Sequence, residues 1–393
     1  MTAPVSASTP EERGDVFVAR YGRWFVVCCG LLLASGLWWQ QVRGHSYPLN
    51  LVWHEGFVSA LRHGTLYPRW LTTSNQGLGA PSFYFYAPLP FAVSSLLDLA
   101  SPLHGSIAAY VYGSATLAIL GSGLAMFALA RRVWLPTTAL IAAAAYMAMP
   151  YHLGIDLWWR AALGELWAFA WPPLILAGVH MCRRKQPWGA AVVGAAWSGM
   201  ILSHLPSFLI TTCASGVAAV AWWWLATDRR AVLYVIAEAS LAMSIAVAAT
   251  AGYWFPALTT LGYTDVTHFM TRGWFLWSNN FVLPYHAGTW NGTIELLVLA
   301  MLILLCALSL AAMRWQRHRS FQFRMAAGCV VVAVLMTTPA SSLIWQLIPP
   351  LQRVQFPWRF MILVDLGNAL LIAHIMDARE AAPFRLSARP RII

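Results

Sequence analysis

Charged residues are scarce in this chain of 393 residues. They make up 10% of the sequence, whereas hydrophobic residues make up 59%. An ordinary soluble domain has roughly 25% charged residues, and a chain with so few cannot cover a surface that faces water. We therefore expect lipid to surround most of it. The same composition excludes a disordered chain, a collagen-like fibre, a coiled coil and a disulfide-rich secreted domain.

Cysteine is also sparse, and its placement suggests no site. The six cysteines fall within or at the ends of apolar runs, without the spacing of metal ligands. None lies in a predicted external loop, where an oxidising compartment would form a disulfide. We interpret them as small apolar residues.

Long apolar runs predict an all-α, polytopic membrane bundle of about ten transmembrane helices, because about 20 apolar residues cross a bilayer. We expect a transmembrane domain over 24–376, between cytoplasmic tails at 1–23 and 377–393. The clear runs are 24–41, 107–130, 165–182, 206–226, 231–254, 293–313 and 359–376, and the shorter ones are 137–150, 188–203 and 323–338.

Basic residues between these runs orient the chain. The net charge of +11 is concentrated in short turns, which is typical of cytoplasmic loops and argues for contact with the bilayer, not with nucleic acid. Placing every basic cluster and both termini in the cytoplasm requires one crossing between residues 43 and 131. The run 86–103, which contains three prolines, is therefore predicted to be a short interfacial helix in an external loop over 42–106.

The first external loop holds the leading catalytic candidate. Residues 50–63 fit an amphipathic helix with Glu55 and Arg62 on its polar side. Glu55 is a candidate catalytic carboxylate, although an inert surface pair with Arg62 explains it as well. His54 could orient Glu55 or an acceptor hydroxyl. Asn50 is either a substrate contact or a helix N-cap.

The next segment, 66–90, combines a turn with aromatic residues. Asn75 lies in the turn and could meet a polar ligand, and Arg69 adds an external positive charge. Tyr86 belongs to an aromatic series over 83–86 that could bind substrate. An aromatic belt at the membrane interface explains that series equally well.

A third external segment places charged residues close together. Asp156 and Arg160 are one helical turn apart, and Glu165 follows near the start of the next apolar run. Arg160 could present its guanidinium to a phosphate, while an ordinary i,i+4 ion pair is the alternative. Glu165 is the rival of Glu55 for the role of catalytic base.

Five more residues have both a functional and a structural interpretation. His204 lies in a tight turn and is a substrate contact or a structural histidine. Arg353 and Arg359 are phosphate ligands or arginines that extend to the membrane surface. Glu238 and Asp365 are acids inside apolar runs, which favours a transporter or a lipid flippase as an alternative function. The structural alternatives are a hydrogen bond to neighbouring helices for Asp365 and contact with water near the cytoplasmic end for Glu238.

Six motifs together resemble a known family of bacterial membrane proteins. They are LYPRW (66–70), NQGLG (75–79), FYFYAPLP (83–90), DLWWRAALGE (156–165), GYWFPA (252–257) and QFPWRF (355–360). The family carries the label "6-pyruvoyl-tetrahydropterin synthase-related" and resembles a branch of the GT-C glycosyltransferase superfamily. The resemblance implies a bundle in the inner membrane, a catalytic carboxylate in the first external loop and a polyprenyl-phosphate sugar as donor. The family's acidic residue four positions before His54 would fall on Asn50, so Glu55 is its nearest replacement.

The leading hypothesis is transfer of a sugar from a polyprenyl-phosphate donor to an envelope glycan or lipid on the external face. A carboxylate would act as general base, and arginines would bind the phosphate. The leaving phosphate is already ionised, so no general acid is obligatory, and no cofactor is predicted with certainty. A divalent metal at Glu55, His54 and Asp156 stays open, although no ligand spacing argues for it. A non-catalytic subunit of an envelope-polysaccharide system is the other alternative, favoured by Asn50.

Overall fold

The computed structural model describes residues 10–39, 44–101, 105–265, 273–282, 290–315 and 321–381. This part of the chain is helical and contains no β-strand, only an isolated bridge between Leu71 and Ala80. The predicted all-α class is confirmed. The helices are α1 (Pro10–Ala34), α2 (Tyr47–Arg62), α3 (Leu89–Ala100), α4 (Ile107–Ala130), α5 (Pro136–Met147), α6 (Leu163–Ala168), α7 (Trp171–Arg183), α8 (Gly189–Ser203), α9 (Leu205–Leu225), α10 (Arg229–Ala249), α11 (Ala251–Thr260), α12 (Trp290–Trp315), α13 (Phe321–Met336), α14 (Ser342–Leu347) and α15 (Met361–Ala381).

Short helical turns connect these helices. A π-helical segment follows α5 at Pro150–Trp159. The other turns are at Gly36–Trp39, Asn75–Gly77, Ser82–Phe85, Leu261–Tyr263, Gly273–Phe275, Trp277–Asn279, Pro339–Ser341, Pro349–Gln352 and Pro357–Phe360.

Six helical stretches of the described chain are long and apolar enough to cross a membrane, as expected for a helical membrane bundle. A bent pair, Phe323–Met336 with Pro339–Leu347 at 89°, is a seventh candidate. The predicted run 165–182 is split into α6 and α7, because Pro172 and Pro173 occupy the first turn of α7, where proline is tolerated. The six stretches are Gly14–Trp39, Ile107–Ala130, Pro136–Trp159, Leu205–Leu225, Arg229–Ala249 and Pro357–Asp377.

The first and last helices of the bundle extend past the predicted transmembrane domain, 24–376, whose membrane boundaries stay a prediction. Helix α1 begins at Pro10, well inside the tail predicted for residues 1–23. It is held there by Asp15, whose Oδ1 accepts a hydrogen bond of 2.7 Å from the Thr137 hydroxyl on α5. Helix α15 continues to Ala381 and enters the predicted C-terminal tail. The contact between Asp15 and Thr137 thus supports the extension of α1 beyond its apolar run.

The turns of the bundle gather at two opposite ends. At one end, which we call the basic end, Arg132 contacts the Met181 sulfur and Arg183 lies over the Trp222 ring. These contacts join the turns that follow α4, α7 and α9. At the other end, the site end, the loop after α1 reaches the π-helical segment through a bond from the Ser46 amide to the Arg160 carbonyl.

Helices α2 and α3 cover the site end. The predicted amphipathic helix at 50–63 is present as α2, and it buries Phe57 and Val58. The predicted short helix in 86–103 is present as α3, with 12 residues. At 1.5 Å per residue it is roughly 18 Å long, too short for a hydrocarbon core of about 30 Å. Its location at the membrane interface stays a prediction.

Candidate functional site

Four charged side chains are buried together at the site end. The exposed fractions of Asp156, Arg160, Glu165 and Arg359 are 0%, 6%, 1% and 9%. Arg160 Nη1 donates to Asp156 Oδ1 and to Glu165 Oε2, both at 2.7 Å. Arg359 Nε lies 3.3 Å from the same Glu165 Oε2. One carboxylate oxygen therefore bridges two guanidinium groups in what we call the charge cluster.

Irregular backbone positions these side chains. Asp156 belongs to the π-helical segment Pro150–Trp159, and a 3-10 turn that begins at Pro357 carries Arg359. Ala161 and Gln355 lie close to them in sequence and have φ angles of 52° and 66°. These values fall in the left-handed region, which residues other than glycine rarely adopt. Segments of π-helix and strained residues concentrate at functional sites, where the surrounding structure holds them in place.

Glu165 is ionised and fully hydrogen-bonded. Its Oε1 accepts a 2.7 Å hydrogen bond from the Tyr151 hydroxyl, and its Oε2 is shared by the two arginines. Burial alone would raise the pKa of Glu165, but the guanidinium groups of Arg160 and Arg359 lower it to about 2. A carboxylate with so low a pKa is a weak base. In this structure Glu165 holds the two arginines through its carboxylate.

Arg160 and Arg359 have N–H groups that are not used in hydrogen bonds within the described residues. Burial disfavours the charged form of Arg160, yet the Glu165 and Asp156 carboxylates raise its pKa above its usual range. The hydrogen bonds that Arg160 donates all start from Nη1, and those that Arg359 donates start from Nε and Nη1. The remaining N–H groups have no acceptor among the residues that the structure describes. The charge cluster can therefore donate further hydrogen bonds to an anion.

Asp156 keeps a free acceptor. Its Oδ2 is buried and has no hydrogen-bond partner in the described chain. Asp156 and Asn50 are among the residues that line a cavity of about 20 Å³ between α2, α4 and the π-helical segment. That volume is enough for about one water molecule. Asn50 is fixed by a 2.8 Å bond from its Nδ2 to the Ala161 carbonyl.

His204 lies beside the charge cluster as a neutral side chain. Its Nε2 is 4.0 Å from Glu165 Oε2, and its Nδ1 is 2.8 Å from the Ser207 hydroxyl. Burial lowers the pKa of His204 to about 3. The nearby Glu165 carboxylate raises this pKa, whereas the positive charges of Arg359 and Arg160 lower it. The 4.0 Å contact is therefore not an ion pair at neutral pH.

Tyr86 and His45 complete the surroundings of the charge cluster. Burial raises the pKa of Tyr86, and the opposing influence of Arg359 and Arg160 shows that its phenol lies near both. Burial lowers the pKa of His45, and the same two arginines lower it further. Of the predicted residues, the structure thus brings together Asn50, Tyr86, Asp156, Arg160, Glu165, His204 and Arg359.

The predicted catalytic pair on α2 does not form. Glu55 is exposed and has no hydrogen bond or ion pair with any residue in the described ranges. Arg62 bonds to Asp98 on α3 at 2.7 Å instead of to Glu55. His54 is buried and contacts the Ser94 hydroxyl at 2.8 Å and Asp98 at 3.3 Å. The reason is packing: α2 turns its His54 face onto α3, so that Glu55 faces outward.

Three other predicted contact residues lie outside the charge cluster, and two of them have a structural partner of their own. Arg69 Nη2 donates to the Gly252 carbonyl at 2.7 Å and ties its loop to α11. Asn75 Nδ2 donates to the Gly79 carbonyl at 3.0 Å and closes its own turn. Arg353 is exposed, and none of its side-chain atoms reaches the charge cluster through a described contact.

Tyr151 contacts the charge cluster directly, and the sequence analysis did not predict it. Besides its bond to Glu165, its hydroxyl lies 3.4 Å from Arg160 Nη1. Tyr151 and Asp156 are five positions apart, which an α-helix places on different faces. A π-helix, with its i→i+5 bonds, brings such residues to one face. The sequence held no signal for that change of period.

The structure does not assemble the metal site left open for Glu55, His54 and Asp156. Among the residues described, no group of three His, Cys, Asp or Glu side chains could hold a metal ion. His54 is buried and Glu55 is exposed, and neither has a described contact with Asp156.

Comparison with known proteins adds no family to this geometry. No family model matches the chain, and no curated protein matches it. The resemblance to GT-C enzymes therefore stays a prediction, and a function has to be argued from the charge cluster.

Proposed function

We propose that this chain is a membrane glycosyltransferase that transfers a sugar from a polyprenyl-phosphate donor to an envelope glycan or lipid acceptor. The observation that carries the proposal is the pair of guanidinium groups that Glu165 Oε2 holds beside Asp156. A phosphate ligand needs fixed positive charge with free N–H donors. A sugar transfer also needs a base close to that phosphate.

The arginines bind the donor phosphate. Arg160 and Arg359 are held before substrate arrives, because the buried carboxylate of Glu165 contacts both. Their unused N–H groups bind the phosphate oxygens, and His45 lies close to both arginines. Preorganised donors of this kind lose little conformational freedom on binding.

Asp156 acts as the base in place of the predicted Glu55. Its unpartnered Oδ2 takes the proton of the acceptor hydroxyl as that oxygen forms a bond to the anomeric carbon. The bond from the anomeric carbon to the phosphate oxygen breaks at the same time, and the electron pair leaves with the phosphate. Because that phosphate is already ionised, no general acid is needed. Glu55 is unsuited because it is exposed and lies outside the charge cluster.

The same proposal places the chain in the inner membrane of a bacterium, with ten crossings and both termini in the cytoplasm. The ten crossings are then the six candidate stretches, the bent pair, and helices α7, α8 and α12. The arginine-rich basic end faces the cytoplasm, as the distribution of positive charge favours. The charge cluster faces the external side, where a lipid-linked sugar and an envelope acceptor would meet.

A non-catalytic membrane subunit is the second candidate. It is favoured by the small cavity at Asp156, about 20 Å³, and by the pairing of all four charges with one another. A buried ion-pair network can define a unique packing without any chemistry. A transporter finds support in Asp365, a span residue whose Oδ1 has no partner among the described residues.

The decisive experiment uses the full chain in lipid nanodiscs with a polyprenyl-phosphate hexose, and detects released polyprenyl phosphate by mass spectrometry. Asp156→Asn should lower the rate by about 10²–10⁴-fold, the usual contribution of a general base. Glu55→Gln is the matched control and should retain the wild-type rate. An unchanged rate in Asp156→Asn would show that the base is elsewhere. If the wild-type chain neither binds nor turns over the donor, the subunit hypothesis takes its place.

A further inference from the structure

A large cavity opens at the basic end, away from the charge cluster. Its volume is about 890 Å³, within the range of about 300–1,000 Å³ typical of ligand pockets. The turns after α7 and α9, the first half of α10 and the start of α13 surround it. The proposed chemistry at the site end makes no use of this cavity.

The lining of the cavity carries unpaired positive charge. Arg183, Lys185 and Arg324 line it, and none of them forms a salt bridge within the described part of the chain. Two acids, Asp228 and Glu238, also line the cavity. Asp228 accepts a 3.0 Å bond from a backbone amide in the first turn of α10. Three basic against two acidic side chains leave the lining with a net charge of +1, so the cavity favours an anion.

The walls of the cavity continue into apolar helix faces. Only 11% of the apolar stretch of α9 and 22% of that of α10 are buried inside the described structure, against 67% for α4. Leu225 and Tyr234 line the cavity and are 55% and 62% exposed. An occupant with a charged head and long apolar chains would match both the cavity and these faces.

We propose that this cavity binds the phosphate headgroup of an anionic phospholipid. Arg183, Lys185 and Arg324 surround the headgroup, and the acyl chains lie along the exposed faces of α9 and α10. Arg183 forms a cation–π contact with Trp222, whose ring centroid is 5.9 Å from the guanidinium carbon. Basic pockets between membrane helices at the cytoplasmic side bind phosphate-bearing lipids in this way. The proposal is independent of the chemistry at the site end.

Lipid binding to the full-length chain can be measured by native mass spectrometry, with dioleoyl phosphatidylglycerol as the probe and dioleoyl phosphatidylcholine as the neutral comparison. The triple variant Arg183→Gln, Lys185→Gln, Arg324→Gln should bind phosphatidylglycerol at least about tenfold more weakly, since each basic residue near a membrane contributes measurable affinity. The matched control is Arg131→Gln, Arg184→Gln, Arg230→Gln. It removes the same charge from exposed basic-end residues that do not line the cavity, and its affinity should stay within about twofold.

A second variant tests the cavity without changing charge. Ala231 lines it and is exposed, so Ala231→Trp should fill it and weaken phosphatidylglycerol binding while the melting temperature is retained. Equal losses in both triple variants would overturn the proposal in favour of diffuse surface attraction. Equal affinity for phosphatidylcholine would overturn it as well. If soluble glycerol phosphate competes as strongly as the lipid, the occupant is a soluble phosphate and the lipid assignment is wrong.

Discussion

Arg359 Nε lies 3.3 Å from Glu165 Oε2, although the two residues are 194 positions apart in the chain. This contact joins the turn before α15 to the start of α6. Arg160 donates to the same oxygen at 2.7 Å. Three segments that are separate in the chain therefore form the charge cluster together. Glu165 is the acid that both arginines contact.

Loss of that acid should destabilise the bundle. In Glu165→Gln the two buried guanidinium groups lose their common counter-charge, and removing one partner of a buried ion pair typically costs about 3–5 kcal/mol. We expect a clear fall in melting temperature in detergent solution. Glu55→Gln changes an exposed acid on α2 and should melt as the wild type does. Identical melting of both variants would show that the shared contact carries no stability.

Lowering the pH should remove the stabilisation that Glu165 provides. The pKa of Glu165 is lowered to about 2 in the folded chain, against about 4.3 when unfolded. Glu165 therefore binds its proton more tightly in the unfolded chain than in the folded chain. Its carboxylate stabilises the fold fully above about pH 4.3, and that stabilisation is lost as the pH falls toward 2. Melting curves of the wild type and Glu165→Gln should converge over that window. A difference that stays constant down to about pH 2 would contradict the low pKa.

Asn50 should not tolerate the acid that the family resemblance places there. Its Nδ2 donates to the Ala161 carbonyl, and it shares a cavity with Asp156. In Asn50→Asp an oxygen would face the carbonyl, and a second negative charge would approach Asp156. The unmade buried bond should cost about 1–3 kcal/mol, seen as a lower melting temperature.

Asn75 provides the control for that substitution. It makes a similar bond to a backbone carbonyl, but it lies in an exposed turn, where water can replace the lost bond. Asn75→Asp should therefore cost less than Asn50→Asp. An Asn50→Asp variant that is as stable as the wild type and more active would instead favour a catalytic role for position 50.

The topology can be tested by labelling single cysteines in a background without the native ones. Positions 75 and 105 flank α3 and are both exposed. Cysteines there should both react with an impermeant reagent from outside the cell, because α3 is too short to cross the membrane. A cysteine in place of Arg131, at the basic end, should react only after permeabilisation. Labelling of position 105 only after permeabilisation would mean that 86–103 crosses and would overturn the proposed ten crossings.

Local pattern was enough to locate most of the helices. The amphipathic pattern at 50–63 and the proline-bounded run at 86–103 predict α2 and α3 to within a few residues of their observed ends. Apolar runs mark the long helices for the same reason: hydrophobicity and prolines act on neighbouring residues and need no knowledge of the fold. Continuation of α1 back to Pro10 lacked such a signal, since it depends on the contact between Asp15 and Thr137.

The charge cluster could be predicted only in part. Asp156, Arg160 and Glu165 are close in sequence, so their proximity followed from the chain itself. The sequence could not show that Glu55 faces outward, because composition does not say which face of α2 packs against α3. Sequence by itself determined a helical membrane bundle whose polar candidates gather in a few loops, because apolar length and charge placement are local properties. Only the tertiary structure decided that Arg359 joins Glu165 and that Glu55 does not, because the packing of helices distant in sequence sets which side chains meet.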